Sequence, residues 1–300
     1  MKKKAVAVVM TAVMALGMVS AVSVQAGIED KTLIVGFDAE YPPYGYMDEN
    51  GEYTGFDLEL AQAVCDLEGW ELEKKPINWD SKDMELNSGS IDCIWNGFTM
   101  NGREDDYTFS EPYVDNSQVI VVADDSGIEK LTDLAGKTVG VQAASAALDL
   151  LQSEEEGGQK ELADTFGALN EFADYNTAFT ELQAGALDAL AIDVGVAKYQ
   201  LNSRGEGFKI LDETLNTEQY AIGFKKGNTE LCDIVNADLQ KLADDGTVAE
   251  LAEKYEIADM RIPKMQQMMQ KQIKQKKNKQ YIKYEYRMGC FPVFRVASLL

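Results

Sequence analysis

The feature that most constrains the fold is a regular alternation of short apolar runs with longer amphipathic segments. Thr32–Phe37 (TLIVGF) is an apolar run of strand length, and Phe56–Trp70 places its apolar side chains on one face of a helix. The same rhythm continues along the chain as far as Tyr255. Alternation of this kind predicts an α/β architecture.

The predicted elements after the first strand and helix follow one another without an internal repeat or a low-complexity linker. Two lobes joined by strands that cross between them would fit that absence. The further predicted strands are Ile91–Trp95, Gln118–Ala123, Lys137–Gln142, the region of Phe172, Leu187–Ile192 and Gln219–Phe224. The further predicted helices are Ala143–Gln152, Asn176–Ala184, Val194–Leu201, Glu230–Asp244 and Val248–Tyr255.

The N-terminus has the three parts of a secretory signal peptide. Lys2, Lys3 and Lys4 precede an apolar stretch, and Val24-Gln25-Ala26 supplies the small residues of a cleavage site. Residues 1–26 are therefore predicted to be removed during export, which places the protein in a periplasm or at a cell surface. An uncleaved membrane anchor is the alternative, because the apolar stretch approaches spanning length. No cysteine near the junction offers a site for lipid attachment.

Charge divides the chain into an acidic body and a basic tail. The net charge is −23. Met1 to Met260 carries 18 Lys/Arg against 50 Asp/Glu, a balance of −32, whereas the last 40 residues carry 10 against one, a balance of +9. An acidic body repels the phosphate backbone, so nucleic acid is excluded as a partner of the body.

The chain contains no histidine, which excludes Ser-His-Asp and Cys-His catalysis and His-ligated zinc. This favours a binding protein over an enzyme, and no cofactor is expected. The four cysteines have no CxxC spacing, which disfavours a metal site. Cys65 and Cys93 either form a disulfide in the exported protein or are two buried thiols, and the sequence leaves both open.

Five segments, in one order, resemble the family of extracellular solute-binding proteins for polar amino acids, which serve ABC transporters. The resemblance runs from about Ile28 to Ile257. It implies a fold of the type II periplasmic-binding-protein class, with two lobes, each a central five-stranded mixed sheet flanked by helices, and two hinge strands. The segments are VGFDAEYPPYGYMDENGEYTGFDLELAQAV, NWDSKDMELNSGSIDCIWNGFTMNGREDDYTFSEPY, LAGKTVGVQAASAALDLL, LQAGALDALAIDVGVAKY, and YAIGF with KLADDGTVAELAEKY.

By the same resemblance, lobe one is expected to comprise residues 27–115 and 217–260, and lobe two residues 116–216. Family members normally end shortly after the last helix, so the basic tail at 261–300 is an addition that we expect to have low order. It is an anionic-membrane tether, a partner-binding arm, or a non-homologous extension without selected structure.

A buried amino acid requires a partner for each of its charges, and the resemblance supplies candidates for both. Arg103 matches the family's carboxylate-binding arginine, whose guanidinium binds a carboxylate through two hydrogen bonds. Asp193 matches the aspartate that receives the α-ammonium group, although an N-cap of the following helix is the structural alternative. Gly97 and Thr99 match positions that offer a carbonyl to the ammonium group and a hydroxyl to the carboxylate.

Five further positions complete the expected site. The resemblance implies that aromatic faces sandwich the ligand, that a carboxylate reads its side chain, and that lobe two contributes an amide and a helix start. Tyr44 and Tyr46 are expected at the mouth of the same site. The five positions are Tyr41 and Trp79 for the aromatic faces, Asp38 for the carboxylate, and Gln142 and Ser145 for lobe two.

The implied function is the binding of an L-amino acid by closure of two lobes about a hinge, followed by presentation to an ABC permease. We expect a monomer without catalytic residues. The sequence leaves the identity of the amino acid open, with a hint of a polar or cationic side chain. One alternative is a dehydratase of the cyclohexadienyl or arogenate type, which would need a buried carboxylate such as Asp38 or Glu40 with a raised pKa. The other is a ligand-sensing module.

Overall fold

The computed structural model describes residues 31–260. The fourteen strands of this part are β1 Thr32–Phe37, β2 Glu40–Tyr41, β3 Gly45–Met47, β4 Tyr53–Thr54, β5 Glu71–Pro76, β6 Cys93–Ile94, β7 Tyr107–Phe109, β8 Val114–Ala123, β9 Thr138–Gln142, β10 Ala168–Phe172, β11 Ala189–Asp193, β12 Phe208–Ile210, β13 Asn216–Tyr220 and β14 Gly223–Lys225. Its eight α-helices are α1 Phe56–Glu68, α2 Lys82–Ser88, α3 Ala146–Gln152, α4 Lys160–Ala163, α5 Tyr175–Gln183, α6 Val194–Arg204, α7 Thr229–Asp245 and α8 Thr247–Lys254. Short 3-10 turns at Trp79–Ser81 and Leu131–Leu134 precede α2 and β9.

Lobe one is built on a five-stranded mixed sheet in the order β5-β1-β6-β14-β7. β1 lies parallel to β5 and β6, and β14 lies antiparallel to β6 and β7. A small antiparallel sheet of β2, β3 and β4 follows β1. The apolar face of α1 covers the main sheet and buries Leu58, Ala61 and Val64 completely. The predicted α/β architecture in two lobes is therefore confirmed.

Lobe two is built on a second mixed sheet in the order β10-β9-β11-β8-β12. β13 also pairs with β8, which makes this sheet six-stranded rather than the five-stranded sheet expected. The first half of β8 pairs with β13, from Val114↔Tyr220 to Gln118↔Asn216, and its second half pairs with β11 and β12. We call the β8–β13 pair the hinge ribbon, since both strands connect directly to lobe one.

The predicted strand Gln219–Phe224 is two strands in the structure. β13 ends at Tyr220 against β8, and β14 begins at Gly223 against β6 and β7. Ala221 and Ile222 carry the chain from one sheet to the other, and both are buried. The uninterrupted apolar run reflects burial on both sides of this crossing, and burial alone does not indicate which strand a residue pairs with.

Two further expectations at the ends of elements differ from the structure. The strand expected over Ile91–Trp95 is reduced to Cys93–Ile94, and the helix expected from Ala143 begins at Ala146. Ala144 has a φ of 54°, outside the helical region, and Ser145 is the N-cap that starts α3. Cys65 and Cys93 are free, buried thiols and are not joined in a disulfide.

Residues 1–30 and 261–300, which include the predicted signal peptide and the basic tail, lie outside the described residues. Within 31–260, no helix has both the length and the apolar character needed to cross a membrane. The largest buried cluster continues from the first sheet to the second, because residues of both lobes, such as Tyr41 and Tyr175, pack on one another. The lobes therefore meet along a closed cleft.

Candidate functional site

A small cavity between the two sheets brings together eight of the nine predicted site residues. Its volume is about 10 Å³, which is room for about one water molecule. Three of its lining residues also border a wider cleft of about 720 Å³. The lining residues of the small cavity are Tyr41, Trp79, Gly97, Phe98, Thr99 and Arg103 from lobe one, and Gln142, Ser145, Ala146 and Asp193 from lobe two.

Arg103 lies at the end of this cavity, where it bridges the two lobes. Its Nη2 atom lies 2.6 Å from Oδ2 of Asp149 on α3, and its guanidinium group lies 5.0 Å from the centre of the Phe98 ring. The Arg103 side chain is 13% exposed, whereas that of Asp149 is 62% exposed. The guanidinium group is thus held against an aromatic face with an exchangeable carboxylate as its partner, a geometry in which a ligand carboxylate can take the place of Asp149.

Asp193 ends β11, and its carboxylate is directed at the hinge ribbon. Its Oδ1 atom accepts hydrogen bonds from Nδ2 of Asn116 at 2.8 Å, Nε2 of Gln118 at 2.6 Å and the hydroxyl of Tyr220 at 2.6 Å. Asp193 stands at the N-cap position of α6, but its side chain makes no capping hydrogen bond there. The Asp193 carboxylate is 3% exposed and lies at the carboxyl end of a strand. Ligands of open α/β sheets bind at that edge, so a positively charged ligand group could contact this carboxylate there.

Glu218 on β13 is a buried acid that the sequence analysis missed. It is 4% exposed, and its Oε1 atom accepts hydrogen bonds from Thr99, Asn116 and Gln118, each at 2.8 Å. Burial is the main cause that raises the pKa of Glu218, and the negative charge of Asp193 adds to it. The sequence did show two polar residues, Asn116 and Gln118, at alternate positions of an otherwise apolar strand. Only the register of the hinge ribbon shows that both contact Glu218.

Gly97 and Thr99 form a turn under the cavity whose shape depends on glycine. Gly97 has a φ of 57°, and a Cβ atom added there would lie 2.9 Å from Cε2 of Tyr220 and 3.1 Å from Cε1 of Tyr41. Its N–H group donates to Oδ2 of Asp57 at 2.5 Å. Thr99 is buried and forms a bridge to Tyr220, so this turn is fixed to the end of the hinge ribbon.

Aromatic rings surround the cavity, and they differ in the contacts that they make. The hydroxyl of Tyr41 lies 3.3 Å from that of Tyr220, and its ring centroid lies 6.0 Å from that of Tyr175. Burial raises the pKa of the Tyr41 hydroxyl well above its usual value. Trp79 packs edge-on against Phe98 with 5.8 Å between ring centroids. These faces can cover the aliphatic part of a ligand.

The two tyrosines expected at the mouth lie elsewhere. Tyr44 is completely buried, and its hydroxyl donates to Sδ of Met260 at 3.4 Å. Tyr46 packs its ring against Tyr199 of lobe two, with 5.7 Å between centroids. The Pro-Pro segment between Tyr41 and Tyr44 turns the chain inward, so Tyr44 belongs to the core rather than to the cleft.

Asp38 does not line the small cavity but supports it from one side. Its Oδ2 atom accepts a hydrogen bond of 2.6 Å from Nε2 of Gln142, which joins lobe one to lobe two. Burial raises the pKa of Asp38 to about 6, against the lowering effect of hydrogen bonds from the Glu40 N–H group and Gln142. Asp174 and Glu40 add negative charge nearby. This end of the site is therefore acidic.

Ser145 and Lys82 meet at the lobe-two edge of the cavity. Ser145 is buried, and its Oγ atom accepts a hydrogen bond from the N–H group of Leu148 at 3.2 Å, as a helix N-cap does. Lys82, which the sequence analysis missed, is 6% exposed, lies 5.2 Å from the Trp79 ring centroid and donates to the carbonyl of Ala144 at 3.2 Å. Burial lowers its pKa, and the charge of Arg103 adds to that effect. A second cation thus borders the cleft.

The chain also matches known proteins over most of its length. Residues 33–258 match the model of the bacterial extracellular solute-binding proteins, family 3. The chain belongs to this family. Its predicted membership is therefore confirmed, and the matched range contains both sheets, the hinge ribbon and every residue of the small cavity.

Similar proteins within the family bind amino acids. The chain is 30% identical to the L-cystine-binding protein TcyJ of Escherichia coli over 83% of this chain and 94% of that one. It is 34% identical to the arginine-binding extracellular protein ArtP of Bacillus subtilis over 75% and 86%. A crystal structure of an ABC uptake transporter substrate-binding protein from Streptococcus pneumoniae with bound histidine superposes with a TM-score of 0.71 and 33% identity, covering 75% of this chain and 92% of that one.

Proposed function

We propose that this protein is the extracytoplasmic receptor that captures an amino acid for an ABC importer. The observation that carries the proposal is the placement of Arg103 and Asp193 on one small cavity, from opposite lobes. A free amino acid carries an α-carboxylate and an α-ammonium group at adjacent positions, and a cation facing an anion is complementary to that pair. Arg103 binds the carboxylate, and Asp193 binds the ammonium group.

The remaining predicted residues complete this binding site. The carbonyl group of Gly97 and the hydroxyl of Thr99 supply hydrogen bonds, and Tyr41 and Trp79 cover the aliphatic part of the ligand. Asp38 and Gln142 lie toward the ligand side chain, and their buried, acidic surroundings favour a polar or cationic side chain. Ser145 fixes the start of α3 at the lobe-two wall.

Binding proceeds by rotation of the two lobes about the hinge ribbon. Because the cavity of the closed cleft has a volume of about 10 Å³, an amino acid enters only when the lobes separate or the lining side chains move apart. The ligand then favours closure to the extent that it binds the closed form more tightly than the open one. The closed protein, a monomer in a periplasm or at a cell surface, presents both lobes to the permease.

A dehydratase on the same scaffold is the second candidate, and Asp38 is the observation in its favour. A carboxyl group with a pKa of about 6 is suited to proton transfer near neutral pH. Its partner in the structure is the amide of Gln142, and it lies beside the small cavity rather than on its wall. We therefore assign Asp38 to binding, and no catalytic residues are proposed.

A thermal-shift screen of the mature chain, residues 27–300, against the common L-amino acids, prephenate and arogenate tests the proposal. Ligand at 100 times its Kd stabilises a protein by about 2.7 kcal/mol, so a true ligand raises the melting temperature by several degrees. Arg103→Ala is expected to abolish this shift, because loss of a buried charge partner costs about 2–5 kcal/mol of binding.

Arg204→Ala is the matched control, since Arg204 hydrogen-bonds to Gln183 and Gln200 on lobe two and does not line the cavity. It is expected to bind the same ligand with wild-type affinity. No shift with any amino acid, together with a shift and turnover of prephenate or arogenate, would replace the receptor function by the dehydratase.

A further inference from the structure

Two buried carboxylates of the hinge region share their hydrogen-bond donors. Asn116 stands opposite Glu218 in the hinge ribbon, and Gln118 stands opposite Asp193 in the lobe-two sheet. Residues two apart on a strand point to the same face, so both amides reach both acids. Nδ2 of Asn116 lies 2.8 Å from each carboxylate, and Nε2 of Gln118 lies 2.6 Å from Asp193 and 2.8 Å from Glu218.

No cation balances this pair among residues 31–260, where neither acid forms an ion pair. Two buried negative charges so close together repel each other, and one of them is expected to hold a proton. The direction of the pKa shift of Glu218 agrees with this expectation.

The groups that face the pair do not relieve its charge. The tyrosine hydroxyls around it are neutral near pH 7. Of the cations that face it, Lys82 donates to the carbonyl of Ala144, and Lys198 and Arg103 already have carboxylate partners. Lys198 is 2.6 Å from Asp259, and Arg103 is 2.6 Å from Asp149. The titratable and charged groups facing the pair are Tyr41, Tyr44, Tyr175 and Tyr220 around the acids, Asp115, Lys198 and Asp259 in the cavity on one side of Glu218, and Lys82, Asp83, Arg103, Asp106, Tyr107, Asp149, Glu155 and Glu156 in the cleft on the other.

We propose that Glu218 is a positioning residue of the ammonium site, and that an amino acid binds there with release of a proton held by Glu218. The proposal rests on the proposed function. Glu218 acts through the hydroxyl of Thr99, which lines the cavity, and through the two amides that also hold Asp193. It is a regulatory feature of that same site, since it couples capture of the ligand to external pH.

The proton balance follows from the charges. Before binding, Glu218 holds a proton. The α-ammonium group adds one positive charge beside Asp193, which stabilises the second carboxylate, and the proton leaves to solvent. Because binding releases a proton, affinity increases as the pH rises through the range in which the free pair is protonated, by at most about tenfold for each pH unit.

Isothermal titration calorimetry of the mature chain measures this proton directly. L-arginine, L-histidine and L-glutamine serve as probes, each in two buffers of the same pH but different ionisation enthalpy. The difference in apparent binding enthalpy between the buffers gives the number of protons released. We expect a positive release that becomes smaller as the pH rises, for the probe that binds.

Glu218→Gln keeps a side chain that can accept from the two amides but cannot hold a titratable proton. We expect it to bind the probe with less proton release than the wild type and with an affinity that depends less on pH. Glu171→Gln, an exposed position on β10, removes the same charge elsewhere and is expected to behave as the wild type. Asp38→Asn is measured in parallel because Asp38 also has a raised pKa, and proton release is expected to persist in it.

Each outcome bears on one of the two proposals. Binding by the wild type without proton release overturns this inference and leaves the receptor function standing. Proton release in Glu218→Gln equal to that of the wild type overturns it as well, as does release that disappears only in Asp38→Asn while that variant still binds the probe. If no amino acid binds to the wild type, the receptor function fails and this inference fails with it. The wild-type measurement decides the matter even if Glu218→Gln does not fold.

Discussion

At the scale of single residues, several buried carboxyl groups within residues 31–260 form no ion pair with a lysine or arginine. Asp57, on the first turn of α1, is completely buried, and one of its oxygens accepts from the N–H group of Gly97. Burial raises its pKa to about 7, although that hydrogen bond lowers it. Because Gly97 lines the small cavity, Asp57 links the interior of lobe one to the ligand site.

The raised pKa of Asp57 predicts that the protein loses stability as the pH rises. The folded protein holds this proton up to about pH 7, whereas the unfolded chain releases it near pH 3.8. Stability therefore falls from about pH 4 to pH 7, by about 1.4 kcal/mol for each unit of pKa difference. Asp57→Asn is expected to reduce the difference in melting temperature between pH 5 and pH 8, measured by circular dichroism. Asp66→Asn, an exposed position on the same helix, is expected to leave that difference unchanged; an equal change in both variants would contradict the assignment.

A substitution at Gly97 tests whether binding depends on the close approach of the Gly97 backbone to the tyrosine rings or only on its positive φ. Gly97→Ala is expected to weaken amino-acid binding at least tenfold, because its Cβ atom would meet the rings of Tyr220 and Tyr41. Gly102→Ala is the matched control, since Gly102 also has a positive φ, 79°, but has no atom within 4 Å of an added Cβ. In both variants the left-handed backbone lowers the stability of the folded protein by about 1–2 kcal/mol. Equal binding in the two variants, by calorimetry, would show that the contact does not matter.

At the scale of elements, the sequence predicted many of the strands and helices but not their partners, and it missed β2, β3, β4, β5, β7, β12, α2 and α4. The alternation of apolar runs and amphipathic segments is local, so it located β9, β11, α5, α6 and α7 to within a few residues. The break between β13 and β14 depends on two different sheets, and a continuous apolar run carries no sign of it.

Because the sequence does not show strand partners, it also revealed only some of the site residues. Arg103 and Asp193 follow strands or turns within matched motifs, where the family resemblance identifies them. Glu218, Asn116 and Gln118 become a cluster only through the register of β8 with β11 and β13, which joins residues about 100 positions apart in the chain. A polar residue on a strand has no local signal for its partner across such a distance, so this part of the site required the structure.

At the scale of the whole molecule, a few polar contacts join the lobes across the cleft, in addition to aromatic packing such as that of Tyr41 on Tyr175. Gln142 donates to Asp38 at 2.6 Å, Lys82 donates to the carbonyl of Ala144 at 3.2 Å, and Asn176 donates to Glu40. The Arg103–Asp149 ion pair joins the same two lobes. Each of these polar contacts contributes little free energy. A ligand that binds the closed form more tightly can therefore shift the balance between the open and closed forms.

Asp149→Ala is expected to shift that balance toward the open form. An ion pair with an exposed partner contributes up to about 1 kcal/mol, so its loss changes the ratio of closed to open protein by up to about fivefold. Small-angle X-ray scattering of the protein without added amino acid should then give a larger radius of gyration than the wild type. A saturating ligand should restore the wild-type value, since its carboxylate engages Arg103 in place of Asp149.

Asp164→Ala is the matched control for this experiment. Asp164 is 64% exposed, close to the 62% of Asp149, and its ion pair with Lys160 lies entirely within lobe two. It removes the same charge from the same lobe without touching the cleft, so its radius of gyration should equal that of the wild type. If both variants expand equally, the general repulsion of an acidic body would explain the change, and the cross-cleft pair would have no special part in closure.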